Sequence, residues 1–257
     1  MSDSLGSLGG LAAEKRLAKT FANKWNLTLQ APFAMSNVSY VAPTTDGAVL
    51  KVASLGDDDS LHEGEALELW EGEGAVRLLR RANRVLLEER AVPGDDLSRL
   101  PEDQALDIAT SVALKLWRPA TTPFRPVGPE VSRWLDDAQK VGGDLLPFAR
   151  QLLKEIGGGA DWLVHGDFHH HNILRSGQKF VAIDPKPYLS DREYDVATYL
   201  WNPIGNPLGD SIQTNTRIQA FVALGLDEYK IRAWTVIRGS YLRPQPEYVG
   251  WLRSILA

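Results

Sequence analysis

The sequence predicts an α+β protein in which a strand-rich first third precedes a mainly helical remainder. Three observations carry that reading. Residues 34–90 hold short apolar runs, rich in β-branched and aromatic side chains and bounded by turn residues. From Asp95 onward, apolar residues recur mostly at helical spacing. Residues 163–184 interrupt the helices with three apolar runs, a polar loop between the first two and a Ser176-Gly177 turn between the last two. Short apolar runs between turn residues read as buried strands. Asp167, Asn172 and Asp184 therefore stand at strand ends.

Taken in order, residues 11–25 place Leu17, Phe21 and Trp25 on one face of an amphipathic helix that covers the first sheet. Residues 34–42 alternate as a strand, Asp46-Gly47 makes a hairpin turn, and residues 48–52 return as a second strand. That strand carries a single lysine, Lys51, inside an apolar run. It is either an edge lysine facing solvent or a cation kept for a ligand. Residues 62–70 read as a helix with three acids, Glu63, Glu65 and Glu68, for each of which surface charge is the commonest role. Residues 72–81 read as a loop then a strand and 84–90 as the next strand, which Ala91-Val92-Pro93-Gly94 breaks, as a strand exit or a hinge. Leu100-Pro101-Glu102 opens a helix with proline early and acids in its first turn. After a Pro-rich connection, a helix over 130–156 is broken near Gly142-Gly143 and stopped by Gly157-Gly158-Gly159. Helices over 191–200, 214–224 and 229–238 complete the chain, with no internal repeat.

Composition narrows the class. The chain has 257 residues, 44% of them hydrophobic, enough for one large domain or two lobes. It has no cysteine, which excludes disulfides, thiolate catalysis and cysteine-based zinc sites. The first ten residues lack the basic and apolar segments of a signal peptide. No apolar run reaches the roughly 18–20 residues that span a bilayer. A cytoplasmic protein without a membrane or nucleic-acid partner is expected, since a net charge of −5 is opposite to a phosphate-tracking surface.

The chemistry concentrates in His165-Gly166-Asp167, with Asn172 five residues beyond Asp167 and Asp184 twelve beyond Asn172. Two carboxylates and an amide are hard oxygen ligands of the kind that bind Mg²⁺ on phosphates. The spacing resembles the catalytic loop and metal aspartate of kinases, and Val49-Leu50-Lys51 resembles their lysine strand. The His-Gly-Asp form with Ile183-Asp184-Pro185 is similar to the aminoglycoside phosphotransferases. Lys186-Pro187, Tyr194-Asp195-Val196-Ala197 and Leu200-Trp201-Asn202-Pro203 bring it nearer to the streptomycin 6-phosphotransferase/hydroxyurea-resistance branch. The likeness runs from about residue 24 to about residue 240.

That resemblance implies a bilobal protein-kinase-like fold, with a nucleotide-binding lobe over 1–91 and a mainly helical lobe over 92–257 carrying the catalytic loop and acceptor site. It implies a phosphotransferase that moves the γ-phosphate of ATP, with Mg²⁺, to a hydroxyl of an aminoglycoside or related sugar. Asp167 would be the general base, and Asn172 and Asp184 the metal ligands. Lys51 would pair with phosphate and Glu63 would hold it, with Glu65 as the alternative. Ser36 and Asn37 stand where kinases carry a phosphate loop, and backbone near Glu89 and Ala91 would meet adenine. Asp195 would tie down the catalytic loop. Asp191, Glu193, Tyr194 and Trp201 are acidic and aromatic candidates for the acceptor side.

Two other classes compete. One is a kinase-fold protein that binds nucleotide or ligand without catalysis, against which stands the full set of Lys51, Asp167, Asn172 and Asp184. The other is a metal hydrolase, raised by His165, His169, His170 and His171. Adjacent histidines diverge along an extended backbone, and no H-E-x-x-H helix is present. His165 is expected to pack at the loop start, and His169 to His171 to face the loop or the substrate.

Overall fold

The computed structural model describes residues 7–33, 39–54, 56–140, 142–202, 211–242, 249–250, 252 and 255. Ser36 and Asn37 lie outside the described residues. The chain divides into two compact units. The first takes residues 1–95 with 174–186, and the second takes 96–173 with 187–257.

In the first unit, α1 (Ser7–Trp25) precedes strands β1 (Ser39–Pro43) and β2 (Ala48–Ala53). Helix α2 (Glu63–Trp70) and strands β3 (Leu78–Ala82), β4 (Val85–Glu89) and β5 (Pro93–Asp96) follow. Strands β1 to β4 form an antiparallel sheet in the order β1-β2-β4-β3. Its pleat sorts the side chains. Leu50 lies opposite Leu87 and Val52 opposite Val85, and these four pack with Ala18 and Ala22 of α1 in one buried cluster. Each fully buried Leu or Val contributes roughly 1.5–3 kcal/mol. Alternation turns Lys51 to the other face. Ala66, Leu67 and Trp70 of α2 are buried, and the helix ends at Glu71 in the left-handed conformation with φ +50°.

The expected break is present, with β4 ending at Glu89, but it is shorter than Ala91 to Gly94 because Pro93-Gly94 already opens the next strand. Residues 93–96 are a strand, with its proline at the first position, where no ladder bond is lost. Strand β5 forms a three-stranded sheet with two later strands, in the order β10-β9-β5.

In the second unit, α3 (Glu102–Leu116) leads to the two-residue strands β6 (Arg118–Pro119) and β7 (Arg125–Pro126). The helix expected over 130–156 with a break near Gly142-Gly143 is broken there, into α4 (Val127–Gln139) and α5 (Leu146–Ile156). Then come β8 (Trp162–Val164), β9 (Ile173–Ser176), β10 (Lys179–Ala182) and β11 (Tyr188–Ser190). Helices α6 (Glu193–Leu200), α7 (Ser211–Val222) and α8 (Glu228–Leu242) follow. Strands β9 and β10 carry most of residues 174–186 and so belong largely to the first unit. In the second unit a sheet of order β6-β8-β11-β7 holds β8, the strand that leads into His165, between β6 and β11. All eight residues of α6 are buried, and Gly239 lets α8 approach closely: an added Cβ would lie 2.3 Å from Trp201. Among the described residues no helix is long and apolar enough to cross a membrane.

Candidate active site

Lys51 is 4% exposed, and a buried ammonium is tolerated only when paired. Its Nζ lies 2.5 Å from Glu63 Oε1 and also donates to Asp184 Oδ1. Glu63 is delivered by the first turn of α2. Asp184 is delivered by β10, whose end is fixed by two backbone bonds: the Ala182 N–H donates to Gly74 O at 2.7 Å, and the Val76 N–H to Ala182 O at 3.0 Å. Glu65 and Glu68, the other acids of α2, turn outward to Arg81 at 2.8 and 2.7 Å. A second buried acid, Glu88, shares the face of the same lysine from β4. Burial works to lower the Lys51 ammonium, but Glu63, Asp184 and Glu88 outweigh it and hold it raised. Burial, opposed by Lys51, raises the carboxyls of Glu63 and Glu88. Such a cluster is suited to receive further positive charge.

Strand β4 ends at Glu89, which is exposed and whose N–H donates to Arg77 O at 2.9 Å. Ala91 lies in the connection to β5.

In the second unit, the loop after β8 is held by Asp195 of α6. Its carboxylate accepts from the N–H of His165 at 2.9 Å, the N–H of Gly166 at 2.8 Å and the indole of Trp117 at 3.0 Å. Burial pushes this carboxyl up to about 6, and those three donors pull the other way. Gly166 has φ +80°, a turn conformation that L side chains rarely adopt, and it directs the chain into Asp167. Asn172 Nδ2 donates to the carbonyl of Asp167 at 2.9 Å and to its Oδ2 at 3.3 Å. With its nitrogen spent on Asp167, the amide keeps its oxygen as an acceptor.

Arg238 of α8, with no role in the sequence reading, brings Nη2 to 3.7 Å from Asp167 Oδ1 and Nη1 to 3.2 Å from the Tyr241 hydroxyl. Burial works against its charge, but Tyr241, Tyr194 and Asp167 outweigh it and keep the guanidinium held. A single arginine seventy-one residues from Asp167, on a helix of mixed polarity, carries no motif that flags it.

The histidines separate. His165 is fully buried, and its Nδ1 lies 3.3 Å from the Asp167 N–H. His169 sits with Nε2 at 3.6 Å from Asp167 Oδ2, and His171 with Nδ1 at 3.0 Å from Asp96. Of the two expected places, His170 takes the loop: it is buried in the 170–172 turn and stacked on Tyr199 at 4.2 Å between centroids. Burial first, and Arg217 second, lower its pKa to about 3. Among the described residues no three metal-type side chains gather as a metal site.

The four acceptor candidates are spent on the fold of the second unit. Asp191 pairs with Lys230 at 2.7 Å, and Glu193 accepts from the Asp227 N–H at 2.9 Å. Tyr194 packs edge-on against Trp234, and the Trp201 indole donates to Thr235 O at 3.0 Å. Acidic and aromatic residues after Asp184 read as pocket-like in sequence, yet α6 is a core helix.

Residues 24–242 match the family described as aminoglycoside/hydroxyurea antibiotic resistance kinase. The chain is 30% identical to a streptomycin 3''-kinase of Klebsiella pneumoniae, over 70% of this chain and 71% of the relative. It is also 30% identical to a hydroxyurea phosphotransferase of Kitasatospora aureofaciens, over 85% of this chain and 68% of the relative. Its fold is similar to that of the choline kinase LicA from Streptococcus pneumoniae, with a TM-score of 0.63 at 15% identity, covering 95% and 98% of the two chains. The aminoglycoside phosphotransferase APH(2")-IIa, solved as a ternary complex with streptomycin and ATP, gives a TM-score of 0.58 at 12% identity, covering 94% and 95%. The fold is the protein-kinase-like one, α+β, with an antiparallel sheet unit and a helical unit. The chain belongs to the aminoglycoside/hydroxyurea antibiotic resistance kinase family and is a small-molecule phosphotransferase.

Proposed function

We propose that this protein transfers the γ-phosphoryl group of Mg·ATP to a hydroxyl of a streptomycin-like aminoglycoside or a related sugar, in the cytoplasm where ATP is held. The observation that carries the reading is Lys51: buried in a strand, paired with Glu63 of α2 and joined to Asp184. A buried lysine between a helix acid and a loop acid is what phosphate neutralisation requires.

Phosphoryl transfer asks for positioning and charge more than for covalent work. Lys51 neutralises phosphate charge and Glu63 aims it. Residues 1–91 serve the nucleotide, with Ser36 and Asn37 on the phosphate side and the backbone near Glu89 and Ala91 on the base. Residues 92–257 serve the acceptor. The oxygens of Asn172 and Asp184 fit Mg²⁺, a hard cation that takes oxygen ligands. When bound, that ion neutralises charge shared by the phosphates. Asp167 accepts the proton of the attacking hydroxyl as its oxygen bonds to the γ-phosphorus and the bond to ADP breaks. Arg238 and Asn172 hold the Asp167 carboxylate in place for that proton.

Asp167→Asn tests the assignment, with ADP release measured in streptomycin and Mg·ATP. Turnover should fall roughly 10²- to 10⁴-fold, the usual span for lost acid–base assistance. Nucleotide affinity should stay near that of the wild type. Unchanged turnover would remove Asp167 from the mechanism.

A further inference from the structure

Glu88 is the buried acid that no step above uses. It is 6% exposed, and its Oε1 has no hydrogen-bond partner among the described residues. Its direction follows from the register. Lys51 lies opposite Leu86 and Val49 opposite Glu88. Directly opposed residues of an antiparallel pair share a face, and so do residues two apart on one strand. Glu88 is therefore the diagonal neighbour of Lys51, on the face that carries the nucleotide residues. Lys51 is already bonded to Glu63 and Asp184, so Glu88 is not needed to complete that pair. An unmade hydrogen bond on a buried carboxylate is costly, and it persists where a ligand supplies the missing donor.

The donor can be named from the strand. Glu88 directly precedes Glu89, the strand end whose backbone is assigned to the nucleotide base. A carboxylate accepts hydrogen bonds and, when ionised, never donates. At purine carbon 6, adenine offers an amine with two N–H groups, whereas a 6-oxo purine offers an acceptor that a carboxylate repels. We propose that Glu88 is a base-specificity residue, its unpartnered oxygen accepting an N–H from the 6-amino group of adenine and turning away 6-oxo purines. The inference rests on the nucleotide-dependent reading above and adds to it a choice of ATP over inosine or guanosine triphosphate.

The test is direct calorimetric binding with Mg²⁺ and no acceptor. Three ligands are compared: ATP, inosine triphosphate and purine riboside triphosphate, which carry an amine, an oxygen and a hydrogen at carbon 6. The wild type should bind ATP roughly 10- to 100-fold more tightly than either of the others, the value of a hydrogen bond to a charged group. In Glu88→Leu that preference should collapse. In the isosteric Glu88→Gln, whose amide both donates and accepts, inosine triphosphate should gain on ATP. Each ratio is read within one variant, so a loss of stability does not imitate the result. A wild type that binds all three equally, or a Glu88→Leu that keeps the preference, overturns the role of Glu88 and leaves the phosphotransferase reading standing. A wild type that binds no nucleotide defeats both.

Discussion

Asp184 has φ +55°, a left-handed backbone that costs a non-glycine residue about 1–3 kcal/mol and is kept where the surroundings impose it. Here the two backbone bonds at Ala182 and the ion pair to Lys51 impose it. Asparagine tolerates this conformation unusually well. Asp184→Asn therefore removes charge with little change of backbone preference. It should weaken Mg·ATP binding, measured by calorimetry, and a titration matching the parent would contradict the metal role. At this scale the sequence was readable where a residue broke its own context. Lys51 stands out because a lone charge inside an apolar strand demands a partner, and Asp167, Asn172 and Asp184 because their spacing is that of hard oxygen ligands. Arg238 was not readable, because nothing in a mixed helix distinguishes one buried arginine from a solvated one. Glu88 is not legible either, because a glutamate at the end of a strand looks like the exposed Glu89 beside it. Only the register separates them.

The catalytic loop is an element held by others. Its backbone donors are met by Asp195 from α6, and its short helical turn at 170–172 is pinned by His170 stacking on Tyr199. That stacking makes the fold sensitive to acid. The folded His170 stays neutral to about pH 3, whereas the unfolded residue takes a proton below about 6.5. Between those limits the unfolded chain binds more protons, so stability falls as pH falls. The loss should reach about 2 kcal/mol by pH 5. Thermal unfolding of His170→Phe, which keeps a stacking ring, should lack this component. If wild type and variant lose stability in parallel between pH 6.5 and 4, His170 is not the group responsible. Long periodic segments gave up their helices readily, with ends shifted by a few residues. The strands missed were β6 and β7, two residues each, β11, three residues, and β5, which opens with proline. Such short pieces lack a period, and only their partners make them strands.

At the scale of the molecule, family membership and fold agree on a phosphotransferase, and the acidic character of the chain is compatible with a cationic acceptor such as an aminoglycoside. The acceptor was the least legible part. The acids and aromatics that invited that reading, from Asp191 to Trp201, are consumed by ion pairs, caps and core packing. Acceptor recognition depends on how a helical surface is shaped, which no spacing in one sequence encodes. Mg·ATP at about 100 times its dissociation constant should stabilise the protein by about 2.7 kcal/mol, visible as a higher melting temperature. The most direct measurement is phosphorus NMR of the protein with Mg·ATP and a panel of streptomycin, other aminoglycosides, simple amino sugars and hydroxyurea. A phosphomonoester of one acceptor should form in step with ADP and vanish with Asp167→Asn. ATP that stays intact across the whole panel, or an ester that forms as fast in the Asp167→Asn protein, would contradict the account.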